Sequence, residues 1–262
     1  MKFFIIFGNP VAHSKSPQMH NFTFKSLNFD GCYTRYLLKD ENLLKDKFFE
    51  LNIDGANITV PFKEKAFEIC DETVGIANSI KAVNTIIKKD NKLIGYNTDA
   101  PGFYESIKSY KFKNALILGA GGTAKAISEI FDEKNIDFTI LNRSKKRLDY
   151  FINKGYKSFS WDDFKIDGFD LIINTTSAGL NDENLPAPKE ILESIFKNAK
   201  YAVDVIYGKE TPFLKMAKEF NLTIKDGKDM LLYQGVLAFE IFTDFEYEKS
   251  EIEKYMKEGL EL

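Results

Sequence analysis

Cysteine, histidine and arginine are all scarce in this 262-residue chain, and each scarcity excludes something. The two cysteines, Cys32 and Cys70, are far apart and form no C-x-x-C, which argues against a metal knuckle or redox pair. They read as reduced thiols of a cytoplasmic protein. The two histidines, His13 and His20, have no third ligand beside them, so no metal is expected and each reads as structural. No run approaches the ~18 apolar residues of a membrane span. The opening MKFFIIFGNP carries a short apolar run, below the ~7–15 residues of a secretory core, and reads as a first strand. A net charge of -3 argues against a nucleic-acid partner. Arginine occurs only at 35, 143 and 147, so a chain that otherwise uses lysine places two of its three arginines in LNRSKKRL.

What is present is a succession of short apolar runs and helical stretches. Strands are expected at 3–8, 32–38 and 55–60, and helices at 16–28, 42–52 and 62–70. In the helix from 16, Ser16 is placed as N-cap and Pro17 at the first position. Residues 81–97 read as a hairpin turning near Asp90-Asn91, followed by a helix from 98. A second series starts at 114–119, with strands at 137–142, 170–176, 201–207 and 222–226, and helices over 123–134 and 145–154. The last 35 residues read as two helices. Strands alternating with helices predict an α/β fold with a mainly parallel sheet, in two domains that meet within the helix around 100–112.

LILGAGGTAKA sets Gly119, Gly121 and Ala124 in the pattern G-x-G-x-x-A, directly after an apolar strand and opening a helix. That context favours a dinucleotide loop over the plain alternative, an ordinary glycine-rich βα turn. Gly119 allows the tight turn, Gly121 lets the backbone approach a pyrophosphate, and Ala124 lets the helix pack on the sheet. At the end of the next strand an NAD enzyme would carry an acid for the ribose hydroxyl. This chain has Asn142, Arg143, Ser144 and Arg147 instead. A guanidinium can grip phosphate oxygens in pairs and stack on adenine, so the pattern points to NADP(H). A basic helix start, badly placed for the helix dipole, is the bland alternative.

Three further stretches carry polar residues that packing does not require. In GNPVAHSKSPQMHN, Ser14 and Ser16 could hold a carboxylate, or be an ordinary loop serine and a cap. In NITVPFKEKAFE, Asn57 and Thr59 share one strand face and Lys63 falls in the first turn of a helix, an unfavourable place for a cation. The plain reading is one more surface lysine. In VNTIIKKDNKLIGYNTDAPGF, Asn84 lies early in the hairpin and Asp99 at a helix start, where it could simply cap.

These stretches, together with AVNT, GAGGTAKA, NRSKKR, NTTSAGL, DVIYGKETPFL and DGKDMLLYQG, resemble the shikimate dehydrogenases over nearly the full length, in order and spacing. The resemblance implies NADPH-dependent reversible reduction of 3-dehydroshikimate to shikimate, in aromatic amino-acid biosynthesis. It implies Lys63 and Asp99 as the catalytic pair, and Ser14, Ser16, Thr59, Asn84, Tyr207 and Gln234 as further substrate-binding residues. It implies Gly119, Ala120, Gly121, Gly122 and Thr123 at the pyrophosphate, and Asn142, Arg143, Ser144 and Arg147 at the NADP phosphate. Val205 and Gly227 then line the nicotinamide end. The family fold returns its C-terminal helices to the first domain, giving 1–100 plus 228–262 for substrate and a Rossmann-type domain over 101–227 for NADP. The expected partner is a small molecule, with neither nucleic acid nor membrane, and the expected state a monomer or homodimer. Two departures concern the nicotinamide rim: YGKETP follows the strand ending at Tyr207, and Asp229 stands where the family has glycine. The nearest rival is a quinate/shikimate dehydrogenase with NAD activity, which the missing acid after TILN opposes. A ligand-binding regulator should lack the Lys63 and Asp99 pair, and an unrelated NADP reductase should lack the serines.

Overall fold

An apolar run without alternation, such as FFIIF, suits a strand whose two faces are both covered. The computed structural model, which describes residues 1–165 and 168–262, meets that condition. In β1 (Lys2–Gly8), Phe4 and Ile6 enter one buried cluster with Met19, Phe24 and Phe239, while Ile5 and Phe7 enter another with Leu44, Phe48 and Ile58. Burying a Phe or Ile side chain contributes ~1.5–3 kcal/mol, so this strand anchors both layers.

The chain divides into two units, Met1–Gly102 with Leu231–Leu262, and Phe103–Met230. In the first, β1 is followed by β2 (Gly31–Leu37), β3 (Gly55–Ile58), β4 (Glu72–Thr73), β5 (Thr85–Lys89) and β6 (Lys92–Tyr96). They form one sheet in the order β2-β1-β3-β5-β6-β4. β1 pairs in parallel with β2 and β3, and β4 with β6; β5 runs antiparallel to β3 and β6. The β5–β6 hairpin turns at Asp90 and Asn91, with φ of 51° and 60°. Two successive positive φ values mark the tight turn whose twist matches the strands, and Asp and Asn tolerate it. The C-terminal helix Lys249–Glu261 packs on Ser16–Ser26, with Gly259 against Met19 and Gln18 Nε2 donating to the Gly259 carbonyl at 2.8 Å.

The second unit holds β7 (Asn114–Leu118), β8 (Asp137–Asn142), β9 (Lys157–Ser160), β10 (Leu171–Asn174), β11 (Tyr201–Asp204) and β12 (Thr223–Lys225). Their order is β12-β11-β10-β7-β8-β9 with every pairing parallel. This is the doubly wound Rossmann order, with its switch point between β7 and β10.

Several local expectations change. Strands β4 and β9 and the helix Ala77–Ile80 have no counterpart in the sequence reading. The helix from Ser16 has Lys15 as its cap residue with no side-chain cap, so Ser16 is not an N-cap. Instead the Ser14 hydroxyl accepts from the Ser16 amide at 3.3 Å. Lys145–Leu148 is a 3-10 turn and the α-helix starts only at Asp149. The dipole argument therefore does not apply at Arg143.

Candidate active site

The loops of the first unit gather at one sheet edge because of strand direction. Ser14 and Ser16 follow the end of β1, Thr59 to Lys63 follow β3, Asn84 precedes β5 and Asp99 follows β6. Since β5 is antiparallel to both neighbours, its start lies beside their ends. The backbone stitches these loops together: Ile58 donates to the Asn84 carbonyl, and Asn84 to that of Tyr96, at 2.8 and 3.0 Å.

Lys63 opens the helix Lys63–Ile69 and Asp99 opens Asp99–Ile107. Lys63 Nζ donates to Asp99 Oδ2 at 2.5 Å, with the side chains 30% and 17% exposed. An ion pair this open to solvent contributes only ~0–1 kcal/mol. A cation at a helix start loses ~0.3–1 kcal/mol of that, so stability alone does not account for the placement. Asp99 is also free of capping duty. The amides of Asp99 and Ala100 are taken by Asn97 Oδ1 at 3.1 and 3.2 Å. The carboxylate can therefore face the lysine.

Behind the pair lies a buried polar network. Asn84 Oδ1 accepts from the Thr98 amide at 2.7 Å, and Asn84 Nδ2 donates to Thr98 Oγ1 at 3.0 Å. Asn57 Nδ2 donates to Thr85 Oγ1 at 3.0 Å and to the Asn84 carbonyl at 3.2 Å. Tyr33 Oη donates to Asn57 Oδ1 at 2.6 Å. Ser14 Oγ donates to Ser16 Oγ at 3.3 Å, and both serines are buried. Arg35, the third arginine, donates from Nε and Nη2 to the Ser14 carbonyl at 3.1 and 2.6 Å and so fixes the serine loop. Gln234 is half-buried on the helix Lys228–Phe242, where its backbone would lie 2.7 Å from any Cβ placed on Gly102. That contact explains the glycine in TDAPGF and binds the Gln234 helix to the one bearing Asp99. Sequence reasoning missed Tyr33, Arg35, Thr85, Asn97 and Thr98 as parts of this site. Arginine scarcity was a usable signal for Arg35; the others carry none in one sequence.

In the second unit a cavity of about 820 Å³ is lined by Gly119, Ala120, Gly121, Asn142, Arg143 and Arg147. Trp161 and the segments 175–178 and 182–189 complete its wall; the motif NTTSAGL covers 175–178, but none of these residues was given a site role. Gly119 has φ 111°, and a Cβ there would meet Thr175 Oγ1 at 2.7 Å, so only glycine suits this turn. Gly122 begins the helix Gly122–Glu133, whose first amides are free to meet an anion. Among the described residues neither Arg143 nor Arg147 pairs with a carboxylate, whereas Lys145 is held by Asp163 at 2.7 Å. A roomy cavity with unpaired guanidiniums and an exposed helix start fits a phosphorylated dinucleotide.

Val205 and Gly227 pack directly against each other but do not line this cavity. Tyr207 is 38% exposed and follows β11. Beneath that loop, Asp204 accepts from Asn174 Nδ2, the Ile206 amide and Thr211 Oγ1 at 3.0, 3.0 and 2.7 Å. Burial raises its carboxyl above the ordinary range, against the pull of these donors. The two departures have local roles. Lys209 Nζ donates to the Leu180 carbonyl at 2.9 Å, and Asp229 receives Lys225 Nζ at 2.6 Å.

A Rossmann-type unit with a phosphate-ready cavity, in a chain whose other unit carries a solvent-accessible lysine–carboxylate pair, defines a two-domain α/β protein of the dinucleotide-binding class. The family model for the shikimate dehydrogenase substrate binding domain matches residues 6–86. The NADP(+) shikimate dehydrogenase of Helicobacter hepaticus is 49% identical over 96% of this chain and 94% of that protein. That of Clostridium perfringens is 36% identical over 98% of each. The structure of shikimate 5-dehydrogenase from Thermus thermophilus in complex with NADP(H) and shikimate is 32% identical, with a TM-score of 0.86 over 99% of this chain and 100% of that one. The chain belongs to the shikimate dehydrogenase family.

Proposed function

We propose that the chain is an NADP-dependent oxidoreductase that interconverts 3-dehydroshikimate and shikimate. The names of its relatives and the ligands of the Thermus structure support the reaction. The observation that carries the assignment to residues is the Lys63–Asp99 contact at the head of two helices. When bound, the coenzyme would supply or accept the hydride at the carbinol carbon. Lys63 holds the proton and the positive charge for the oxygen on that carbon, which gains negative charge as the ketone is reduced. Asp99 keeps the ammonium aimed and accepts a hydrogen bond from a ring hydroxyl. Ser14 and Ser16 bind the carboxylate, while Thr59, Asn84 and Gln234 bind ring hydroxyls. Gly119 to Thr123 receive the pyrophosphate. Asn142, Arg143, Ser144 and Arg147 receive the ribose phosphate. Tyr207, Val205 and Gly227 are assigned to substrate and nicotinamide by resemblance alone. We further assign the enzyme to the cytoplasm, as a monomer or homodimer. Among the described residues no helix is long and apolar enough to cross a membrane.

Turnover of shikimate and quinate with NADP+ and NAD+ tests the reading. Shikimate with NADP+ should be the preferred pair, and Arg143→Ala should lower kcat/KM with NADP+ by about 10–100-fold, the value of one charge-assisted hydrogen bond, with little change for NAD+. Equal losses with both coenzymes would remove the phosphate role from Arg143. Preference for quinate with NAD+ would replace the reading.

A further inference from the structure

A carboxylate buried in the middle of a helix needs a reason, because an apolar side chain of similar size is often as good or better for stability. Glu129, on the helix Gly122–Glu133, is 6% exposed and stands between the buried Ser128 and Ile130. Its partners all come from one segment. Tyr150 Oη donates to Glu129 Oε1 at 2.6 Å, and Lys154 Nζ approaches Oε1 and Oε2 at 3.1 and 3.2 Å. Tyr156 Oη lies 3.2 Å from Glu129 Oε1 and 3.3 Å from Asp132 Oδ2, and shares its one proton between these carboxylates. One turn nearer the helix start, Lys125 Nζ lies over the Tyr150 ring, 4.9 Å from its centroid.

These contacts join two places that a dinucleotide would meet. Tyr150 follows Arg147 by three residues, on the helix Asp149–Asn153 that continues directly from the 3-10 turn Lys145–Leu148. Glu129 follows Gly122, where the glycine loop becomes helix, by about two helical turns or 10 Å. The turn that carries Arg147 is therefore tied through Glu129 to the helix that opens at the glycine loop. On its other side the same turn is held by the Lys145–Asp163 ion pair at 2.7 Å. A dinucleotide with a ribose phosphate offers negative charge at two points, the pyrophosphate and that phosphate, whose separation its covalent bonds restrict. The two receiving ends must stand at a matching distance, and a guanidinium displaced from it loses the paired hydrogen bonds that distinguish it from a lysine. We propose that Glu129 is a positioning residue for coenzyme selectivity: by holding Tyr150 and Lys154 it keeps the Arg147 turn at the distance from the glycine loop that a ribose-phosphorylated dinucleotide requires. NAD has no ribose phosphate, so its binding does not depend on that distance.

The proposal rests on the reading that Arg147 receives the ribose phosphate of NADP, and the test separates the two. Steady-state kinetics of the full chain at saturating shikimate, with NADP+ or NAD+ varied, compare wild type, Glu129→Gln, Arg147→Ala and the double variant. Glu129→Gln keeps the shape of the side chain and removes the charge that holds Lys154. It should lower kcat/KM for NADP+ about 5–30-fold, a partial loss of what Arg147 contributes through its hydrogen bonds. The loss should lie in KM, with kcat within about threefold, and kcat/KM for NAD+ should stay within about threefold of wild type. The double variant should be no worse with NADP+ than Arg147→Ala, since Glu129 acts through Arg147. A merely structural role would lower stability without moving the ratio of the two coenzymes. If Arg147→Ala lowers that ratio and Glu129→Gln leaves it unchanged, or costs both coenzymes equally, the role given to Glu129 is wrong while the phosphate reading stands. If Arg147→Ala leaves the ratio unchanged, the phosphate reading of Arg147 fails and takes the proposal with it. Should Glu129→Gln not fold, Tyr150→Phe removes the 2.6 Å donor and leaves Glu129 paired with Lys154. It should lower the same ratio about 3–10-fold, as expected for one lost hydrogen bond, and an unchanged ratio there would overturn the proposal.

Discussion

At His20 four aromatic rings stand where water would otherwise surround an imidazole: Phe24, Tyr33, Phe239 and Phe242, with centroids 4.4 to 6.1 Å away. Among the described residues its Nδ1 has no hydrogen-bond partner, and burial pushes its pKa down from 6.5 to about 3. The unfolded chain takes up a proton at this histidine below pH 6.5 and the folded one does not. Stability is therefore fully present above pH 6.5 and is lost as pH falls toward 3. Between pH 6.5 and 4 the loss should be about 3 kcal/mol, from 1.36 kcal/mol per unit. Urea unfolding of wild type and His20→Leu across that range should give a difference that narrows by this amount as pH falls; a constant difference would contradict the neutral assignment. The sequence suggested a structural histidine, though not the aromatic box, because its rings come from positions 24, 33, 239 and 242. The same limit applies throughout the site. Lys63, Asp99 and the serines stood out because charge and hydroxyls were placed where packing did not require them. Tyr33 looks like any strand residue until the strands are paired.

At the scale of elements, the loop after β11 is fixed by a cap. Thr211 opens the helix Pro212–Glu219, its Oγ1 accepting from the Leu214 amide at 3.4 Å while donating to Asp204 at 2.7 Å. A lost cap costs ~1 kcal/mol, and removing a donor from a buried carboxyl ~1–3 kcal/mol. Thr211→Ala should therefore destabilise by about 2–4 kcal/mol in urea unfolding, while Thr211→Ser should lose little. Equal losses would place the effect in the buried methyl. The strands that sequence patterns found were those with long apolar runs or a turn signal, such as β1, β7 and the β5–β6 hairpin. β9 reads KSFS and β4 only ET, so neither offers a periodicity to read. The cap of the helix Asp99–Ile107 was left open for another reason. Asn97 and Asp99 are both good capping residues, and only the coordinates show that Asn97 does the capping and leaves Asp99 for Lys63.

Over the whole molecule, each unit places its candidate residues on loops beyond the ends of parallel strands, where backbone amides and helix starts are exposed to a ligand. In the first unit these loops carry a lysine and a carboxylate; in the second they carry a glycine turn and unpaired arginines. The Gly119 turn, the Arg143 segment and the last two helices were all legible in the sequence, because each depends on local rules of turn, charge and helical period. The wall of the cavity at Trp161 and 182–189 was not, since it is assembled from segments that local rules do not connect. The account as a whole depends on Lys63 as the group that carries the proton and charge for the reacting oxygen. The most direct measurement is the turnover of Lys63→Ala with shikimate and NADP+. The predicted result is a fall in kcat of about 10²–10⁴-fold with the shikimate KM changed only modestly, and a kcat close to wild type would contradict it.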